Sequence, residues 1–505
     1  MNPASSPIAP VNTTSGAVSG VPHPHGSAYL SIPFAAPPVG ANRFLAPQPR
    51  APWSGVRACD AYGPTPQRRP FGVVTTIPEP SIPGDDTLSL SVFTPAGGEP
   101  DAGLPVFVWI HGGGYFAGSP ASPWYDGRSF ARDGVVTVVI SYRLGFDGFG
   151  WIDGAPLNRG VLDQIAALEW VRDNISGFGG DPARVTIAGQ SAGGGSVLTL
   201  LASPAAEGLF SAVISHSGAV GSLTAPEAEA IGRRFAEELG IEPTLAGWRS
   251  VDETQILDSQ NEFNQVPDAA GWASTPAELI DAIRARPIES MGLAFAPVID
   301  DETVRAPSKT MTAGHSARIP LLIGTTRDEF SFETAGTAET GSAALERTIT
   351  DLARAGIGES EIAQYRREVE RIGVQFATSQ LVTAQMFRAP AAGIAALRAA
   401  HGAGDRTWLY DFAHPSAITG LASHCHELPF AWDVLDAEGV SAVLGDAPQT
   451  LADEVHDVWV RFITHGTTGW ASVADNAAGA RVFGASGGYD RQAYAFEHAL
   501  LGDAR

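Results

Sequence analysis

The sequence predicts an α/β protein, with a mostly parallel central sheet covered by helices on both faces. Three observations predict it. Short apolar runs rich in β-branched residues recur at 106–110, 135–140 and 185–188, as strands buried on both faces require. A stretch of helical periodicity separates the second run from the third. A glycine-rich turn follows the third and opens another helix. Strands that alternate with helices in this way build a parallel sheet.

Taken in order, residues 1–16 are a polar leader rich in Pro, Ser and Thr, expected to be loose. Residues 17–505 are expected to form a single domain, because long α/β chains grow by insertion as often as by division. Leu88, Leu90 and Val92 alternate with Ser89, Ser91 and Phe93, the signature of a half-buried strand. Val161, Leu162, Ile165, Leu168, Val171 and Ile175 share one helical face, and Asn158 stands where a cap belongs. A turn from Gly177 to Pro182 leads into strand 185–188. Further strands are expected at 212–215, 320–324 and 407–412. Two stretches, roughly 220–315 and 335–400, carry helix formers and acidic residues with few strand signals. They are expected to be helical insertions around the rim of the sheet. Active sites of such sheets lie at the carboxyl ends of the strands, so these insertions would shape the gorge leading to one.

The chain has 505 residues, 44% of them hydrophobic and 17% charged, and a formal net charge of −23. That composition supplies ample core. The acidity repels phosphate backbones and anionic lipid, which argues against nucleic-acid or membrane-surface partners. Lys309 is the one lysine and sits in no supporting motif, so lysine-based chemistry has no anchor. Two cysteines, Cys59 and Cys425, are too few for a disulfide framework, and no Cys/His spacing indicates zinc. The first residues lack a basic and apolar leader, and no apolar run is long enough to span a bilayer. A cytoplasmic protein is expected, or a secreted one whose signal has been removed. Nothing in the sequence sets an oligomeric state.

Gly189-Gln190-Ser191-Ala192-Gly193 lies between strand 185–188 and a helix. This is the context of a nucleophile elbow, in which a sharp turn pushes a serine hydroxyl out at the top of the sheet. His111-Gly112-Gly113-Gly114-Tyr115 follows the strand ending at Ile110. Acyl transfer builds negative charge on the carbonyl oxygen, and losing one backbone N–H aimed at it costs about 3 kcal/mol. Gly113, Gly114 and Ala192 are the expected donors. A serine nucleophile needs a base, and the base an orienting acid, in the order Ser, Asp/Glu, His. Asp328 and Glu329 both follow strand 320–324, and spacing alone does not choose between them. His424 and His426 both follow strand 407–412. A His-x-His pair is half a metal site, but no further ligands cluster nearby, and no metal or organic cofactor is expected.

These segments together resemble the type-B carboxylesterase family, which includes bacterial p-nitrobenzyl esterase-like enzymes and the cholinesterases. The resemblance runs from about Val18 to near the C-terminus. Its carriers are Ile32-Pro-Phe-Ala-Ala-Pro-Pro-Val-Gly40, Asn158-Arg-Gly-Val-Leu-Asp-Gln164, Phe178-Gly-Gly-Asp-Pro182, Gly208-Leu-Phe210 and Ser217-Gly218. The resemblance implies an α/β-hydrolase fold and ester hydrolysis by a Ser191, Glu329, His424 triad through a covalent acyl-enzyme on small to medium esters. Glu329 is implied as the second member of the family's Asp-Glu pair, and His424 as the base three residues before a Glu in His-x-x-Glu-Leu-Pro-Phe. Ser217 matches a serine that supports the triad by hydrogen bonding. Gln190 stands where the family usually has Glu, which weakens any expectation of choline esters. Thr65 and Thr87 replace the family's early disulfide cysteines, Phe330 replaces a Gly after the acid, and Asp147 interrupts the run that starts at Arg143. A lipase, thioesterase or amidase would use the same machinery. A non-catalytic adhesion protein of this fold would lack the triad.

Overall fold

A computed structural model describes residues 8–69, 77–95, 99–218, 220–263, 275–289, 293–311, 313–331, 341–484 and 487–502, the side chains of 261–263 and 308 aside. Its centre is a sheet of eleven strands. In chain order these are β1 (Val21–His23), β2 (Gly26–Pro33), β3 (Ser89–Pro95), β4 (Leu104–Ile110), β5 (Val136–Ile140), β6 (Gly180–Gln190), β7 (Ala212–His216), β8 (Leu321–Thr326), β9 (Thr407–Phe412), β10 (Ala480–Phe483) and β11 (Gly488–Asp490). Across the sheet the order is β11-β10-β9-β8-β7-β6-β4-β5-β3-β2-β1. The pairings from β5 to β10 are parallel, and antiparallel strands close both edges.

The strands form where the apolar runs predict them. Val106 to Ile110 are fully buried, as are Val136 to Ile140. The alternating segment behaves differently from its pattern. Ser89, Ser91 and Phe93 are buried as completely as Leu88, Leu90 and Val92. Ser91 Oγ accepts from the Ser31 amide at 3.1 Å, while Phe93 belongs with Phe130 to one buried apolar cluster. β6 starts at Gly180, earlier than its apolar run. It carries an irregularity, because its pairing with β4 jumps from Leu104–Gly180 to Val106–Val185. Pro182 falls inside this bulge, where no ladder N–H is needed.

Helix α1 (Arg159–Asn174) buries Val161, Ile165, Leu168 and Val171 as expected. Asn158 precedes it, but its side chain does not cap it. The residue is left-handed at φ 58°, and its amide ties Val298 and Asp300 to the helix start. α2 (Ala192–Ala202) is wholly buried behind β6. The described part of 220–315 holds helices Ala225–Glu238, Leu245–Arg249, Glu253–Phe263 and Pro276–Ala285. Thr224 and Thr275 open two of these with capping boxes to Glu227 and Glu278. Residues 342–400 hold Ser342–Arg354, Glu359–Ile372, Ala377–Thr383, a π-helical turn Ala384–Arg388, and Ala389–Ala400. Residues 264–274, 290–292, 312 and 335–340 of the expected insertions lie outside the described residues. So do residues 1–7 of the expected leader. The rest of that leader is not loose: Val11–Thr13 pairs with Gly16–Ser19, which in turn pairs with Val56–Ala58.

The stretch from Asn158 to Gln164 clamps the loop that follows β5. Arg143 Nε and Nη2 each donate to the Asp163 carboxylate at 2.7 Å, and the Arg143 amide donates to it at 3.0 Å. Arg159, fully buried, donates to the carbonyls of Phe146, Asp147, Pro156 and Gly150. Asp147 has a structural explanation as well, since its carboxylate pairs with Arg43 at 3.2 Å. Removing one partner of a buried pair leaves an uncompensated charge, so Asp163→Ala is expected to lose about 3–5 kcal/mol in denaturant unfolding. A loss below about 1 kcal/mol, the level of an exposed pair, would show that the clamp is not what holds this loop.

Candidate active site

Four parallel strands end at the same edge of the sheet, and each delivers a piece of the site. β6 ends at Gln190 and turns into α2 through Ser191. Ser191 has φ 58° and ψ −122°, a region that costs a non-glycine residue about 1–3 kcal/mol and persists only when its surroundings enforce it. The enforcement is visible. The Ser191 amide donates to the His216 carbonyl at 2.9 Å, and the Ser191 carbonyl accepts from Gly195 at 2.8 Å. A Cβ on Gly189 would stand 2.4 Å from the Gly193 carbonyl group, and one on Gly193 would stand 2.1 Å from the Ile110 oxygen. Only glycine fits at either position. Ser191 itself is partly exposed.

β4 ends at Ile110 and passes into His111 to Gly114. Gly113 and Gly114 both have positive φ, 108° and 60°. The Gly113 carbonyl accepts from the Phe116 and Ala117 amides, closing a turn beside the elbow. His111 is buried, stacks on Tyr142 at 4.7 Å and is held at about 4 by burial, so it stays neutral. Its Nδ1 lies 2.8 Å from the Gly112 oxygen, and the Tyr142 hydroxyl donates to its carbonyl. Ala192 is the first residue of α2, so its N–H has no acceptor within the helix.

β8 ends at Thr326 and leads to the acid pair. Glu329 Oε1 accepts from the Thr326 amide at 2.8 Å, and Oε2 meets Nδ1 of His424 in a very short contact. The His424 amide donates to the Glu329 carbonyl at 3.0 Å. Asp328 points the other way. It is fully buried, accepts from Ala422, Gln380 and Arg371, and so pins the loop that carries His424. Burial pushes its carboxyl up, against the pull of Arg371.

That loop follows β9. Among the described residues, the hydrogen-bond partners of the His424 ring are Glu329 at Nδ1 and Gln190 at Nε2, the latter at 3.0 Å. The Ser191 hydroxyl is not one of them. Phe330 and Phe387 stand against the ring at 4.9 and 4.7 Å. Phe387 comes from the π-helical turn, whose next residue, Arg388, donates to Asp411 on β9 and to Glu497. His426 is buried, lowered to about 4 by that burial, and its Nδ1 accepts from the Ser423 amide. It holds its own turn. Neither Cys59 nor Cys425 is in a disulfide. No described helix is long and apolar enough to cross a membrane.

Ser217 sits at the end of β7, with φ 46° and its amide on the Gly324 carbonyl. Among the described residues its buried hydroxyl has no hydrogen-bond partner. A second buried His–Glu pair stands here, which the sequence reading did not single out. Glu427 Oε1 lies 3.5 Å from His216 Nδ1, and both side chains are fully buried. Trp459 Nε1 donates to His216 Nε2 at 2.8 Å, which leaves the proton of the neutral ring on Nδ1. Burial lowers His216 to about 3 and raises Glu427 to about 8. The pair is therefore neutral near pH 7. Glu427 was readable in His-x-x-Glu-Leu-Pro-Phe, but nothing in the sequence says that it is buried against His216.

The sequence profile described as the carboxylesterase family matches residues 7–476. The chain belongs to the carboxylesterase family. It is thereby a carboxylic-ester hydrolase, and its fold is the α/β-hydrolase fold. It is similar to the para-nitrobenzyl esterase of Bacillus subtilis, 34% identical over 472 residues that span 90% of each chain. A solved pNB esterase superposes with a TM-score of 0.79 at 30% identity, covering 97% of this chain and 99% of that one. A Geobacillus stearothermophilus carboxylesterase gives 0.79 at 28% identity, covering 98% and 100%.

Two predictions separate the carboxylates. Glu329→Gln keeps the shape but removes the charge at Nδ1, and turnover of p-nitrophenyl butyrate is expected to fall by about 10⁴-fold, as loss of a triad acid's charge does elsewhere. Asp328→Asn is expected to lower the denaturation midpoint while turnover stays within about tenfold. The opposite ranking would mean that the acid is Asp328. Glu427 makes a prediction about stability. Its folded-state value of about 8 stands above the ordinary 4.5. Between those pH values the unfolded chain ionises it while the folded chain keeps the proton, so folding weakens as pH rises, by up to about 1.4 kcal/mol per pH unit. Glu427→Gln should flatten the pH dependence of the denaturant midpoint in that window. Parallel curves for the two proteins would place the ionised form of Glu427 in the native state.

Proposed function

We propose that the chain hydrolyses small to medium carboxylic esters through a Ser191, His424, Glu329 triad and a covalent acyl-enzyme. One observation carries the reading. His424 is held at Nδ1 by Glu329 and at Nε2 by Gln190, the residue next to Ser191 in the chain, so the basic nitrogen faces the elbow. His424 takes the Ser191 proton as the Ser191 oxygen bonds to the ester carbonyl carbon. The negative charge on the carbonyl oxygen lies against the N–H groups of Gly113, Gly114 and Ala192. As the tetrahedral species collapses, the carbon–alkoxide bond breaks and His424 gives its proton to the leaving alcohol. Water then repeats the sequence on the acyl-enzyme and releases the acid. Glu329 fixes the ring and stabilises the imidazolium.

Phe330, partly exposed beside the base, offers apolar surface that suits an alkyl or aryl group next to the scissile bond. The partner is a small-molecule ester, and an uncharged alcohol group fits better than a quaternary ammonium, because Gln190 puts no carboxylate beside the nucleophile. Ser191→Ala should abolish p-nitrophenyl butyrate hydrolysis, with circular dichroism unchanged. His424→Ala should cost several orders of magnitude, about 10⁴-fold or more, and His426→Ala far less. Wild-type turnover in a folded Ser191→Ala protein, or a larger loss at 426 than at 424, would overturn the assignment.

A further inference from the structure

His424 has one lone pair to offer. With Glu329 at Nδ1, the proton of the neutral ring sits on Nδ1 and Nε2 is the acceptor. The group at Nε2 is the side-chain nitrogen of Gln190, 3.0 Å away. Two nitrogens at that distance attract only if the amide N–H points at the lone pair, so the tautomer set by Glu329 also sets the orientation of the amide. Gln190 is 1% exposed and ends β6. Its Oε1 turns toward the oxyanion loop, where a Cβ on Gly112 would lie 3.0 Å from it.

Attack by Ser191 needs the same lone pair. A carboxamide does not give up its proton under these conditions, so its N–H occupies Nε2 without replacing the serine as a proton source. Once the Ser191 proton has moved, Nε2 itself carries a hydrogen, and the amide N–H opposes it. Half a turn about the terminal torsion of Gln190 brings Oε1 to Nε2–H instead, and that torsion is broad and two-fold. A carboxylate at this position offers only acceptors. It leaves the neutral ring unbonded at Nε2 and holds the imidazolium with a full charge.

Resting on the Ser191–His424 reading above, we propose that Gln190 is a positioning residue. Its amide N–H holds the Nε2 lone pair of the base in the resting enzyme and its carbonyl receives the imidazolium during turnover. Its neutrality keeps the base competent at lower pH than a carboxylate here would allow. The groups that face His424 are Glu329 at Nδ1, Glu427 and His426 on its own loop, Gln190 from β6, and the uncharged rings of Phe330 and Phe387. His216 on β7 faces Glu427, not the base.

The test has an arm that needs no turnover. In a Ser191→Ala background, nitrogen NMR of the histidine rings should show the His424 titration moved about one pH unit or more to higher pH by Gln190→Glu. Gln190→Met, uncharged and unable to donate, should shift the Nε2 resonance of the neutral ring toward that of a nitrogen without a hydrogen bond. With Ser191 restored, Gln190→Glu should move the acid limb of the kcat/KM profile for p-nitrophenyl butyrate to higher pH by the same amount. If the Nε2 resonance is unchanged in Gln190→Met, or both titrations stay in place in a folded Gln190→Glu protein, the inference is overturned. A chain without esterase activity would instead remove the functional reading and leave the NMR arm to decide the contact. Should Gln190→Glu fail to fold, the Met variant decides alone.

Discussion

A Cβ on Gly193 would lie 2.1 Å from the carbonyl oxygen at the end of β4, and one on Gly194 would lie 2.7 Å from the carbonyl of His216 at the end of β7. The first turn of α2 is thus pressed against two neighbouring strands. This contact holds Ser191 at positive φ, since the turn has no room to relax into an ordinary strand-to-helix connection. The same closeness sets the rest of the site. It brings the loop of Gly112 alongside Ser191, and it puts Gln190 within reach of His424. The strain at Ser191 is small beside the burial that enforces it, with α2 buried throughout its length.

Behind the elbow the chain handles charge in two ways. Asp411 sits between Arg327 and Arg388; burial alone would raise its carboxyl, and the two guanidinium groups outweigh that and hold it low. Among the described residues His216 and Glu427 have no counter-ion, and burial favours the neutral form of both. The distinction has a physical logic. Charged networks need enough partners to repay desolvation, and the two guanidinium groups on Asp411 supply them. A neutral pair needs none, and it puts no additional fixed charge beside the base. Replacing the usual family Glu by Gln190 acts in the same direction.

Much of this was legible in the sequence where the constraint is local. A glycine two residues either side of Ser191 is a statement about space that needs no knowledge of the rest of the fold, and the buried strands 106–110 and 135–140 announce themselves by composition. The choice between Asp328 and Glu329 was not legible from the residues, because in a turn neighbouring side chains follow no period. The resemblance implies Glu329; in the structure Glu329 meets the His424 ring, and Asp328 binds Arg371 and Gln380 instead. Asn158 misled for a related reason. It is at the cap position, but a left-handed backbone carries its amide away to Val298, which lies 140 residues on. The serines of β3 looked solvent-facing because alternation assumes one wet face, whereas successive residues of this strand are buried on both faces. Asp147 needed Arg43, 104 residues away, before it made sense.

The segment 342–400 shows how an excursion from the sheet becomes part of the chemistry. Its helices are amphipathic and pack among themselves, but Ala384–Arg388 departs from the α-helical repeat by one π turn. Such turns often mark functional positions, because the extra residue re-aims the side chains that follow. Here the re-aimed residues are adjacent and go to different tasks. Phe387 packs on the His424 ring, while Arg388 reaches Asp411 and Glu497 beneath the acid loop. The His424 ring is therefore braced from one side by the loop of Glu329 and from the other by the inserted helices, and the two braces share Asp411 through Arg327 and Arg388. Through Asp411 the inserted helices and the loop of Glu329 belong to one buried ion-pair network.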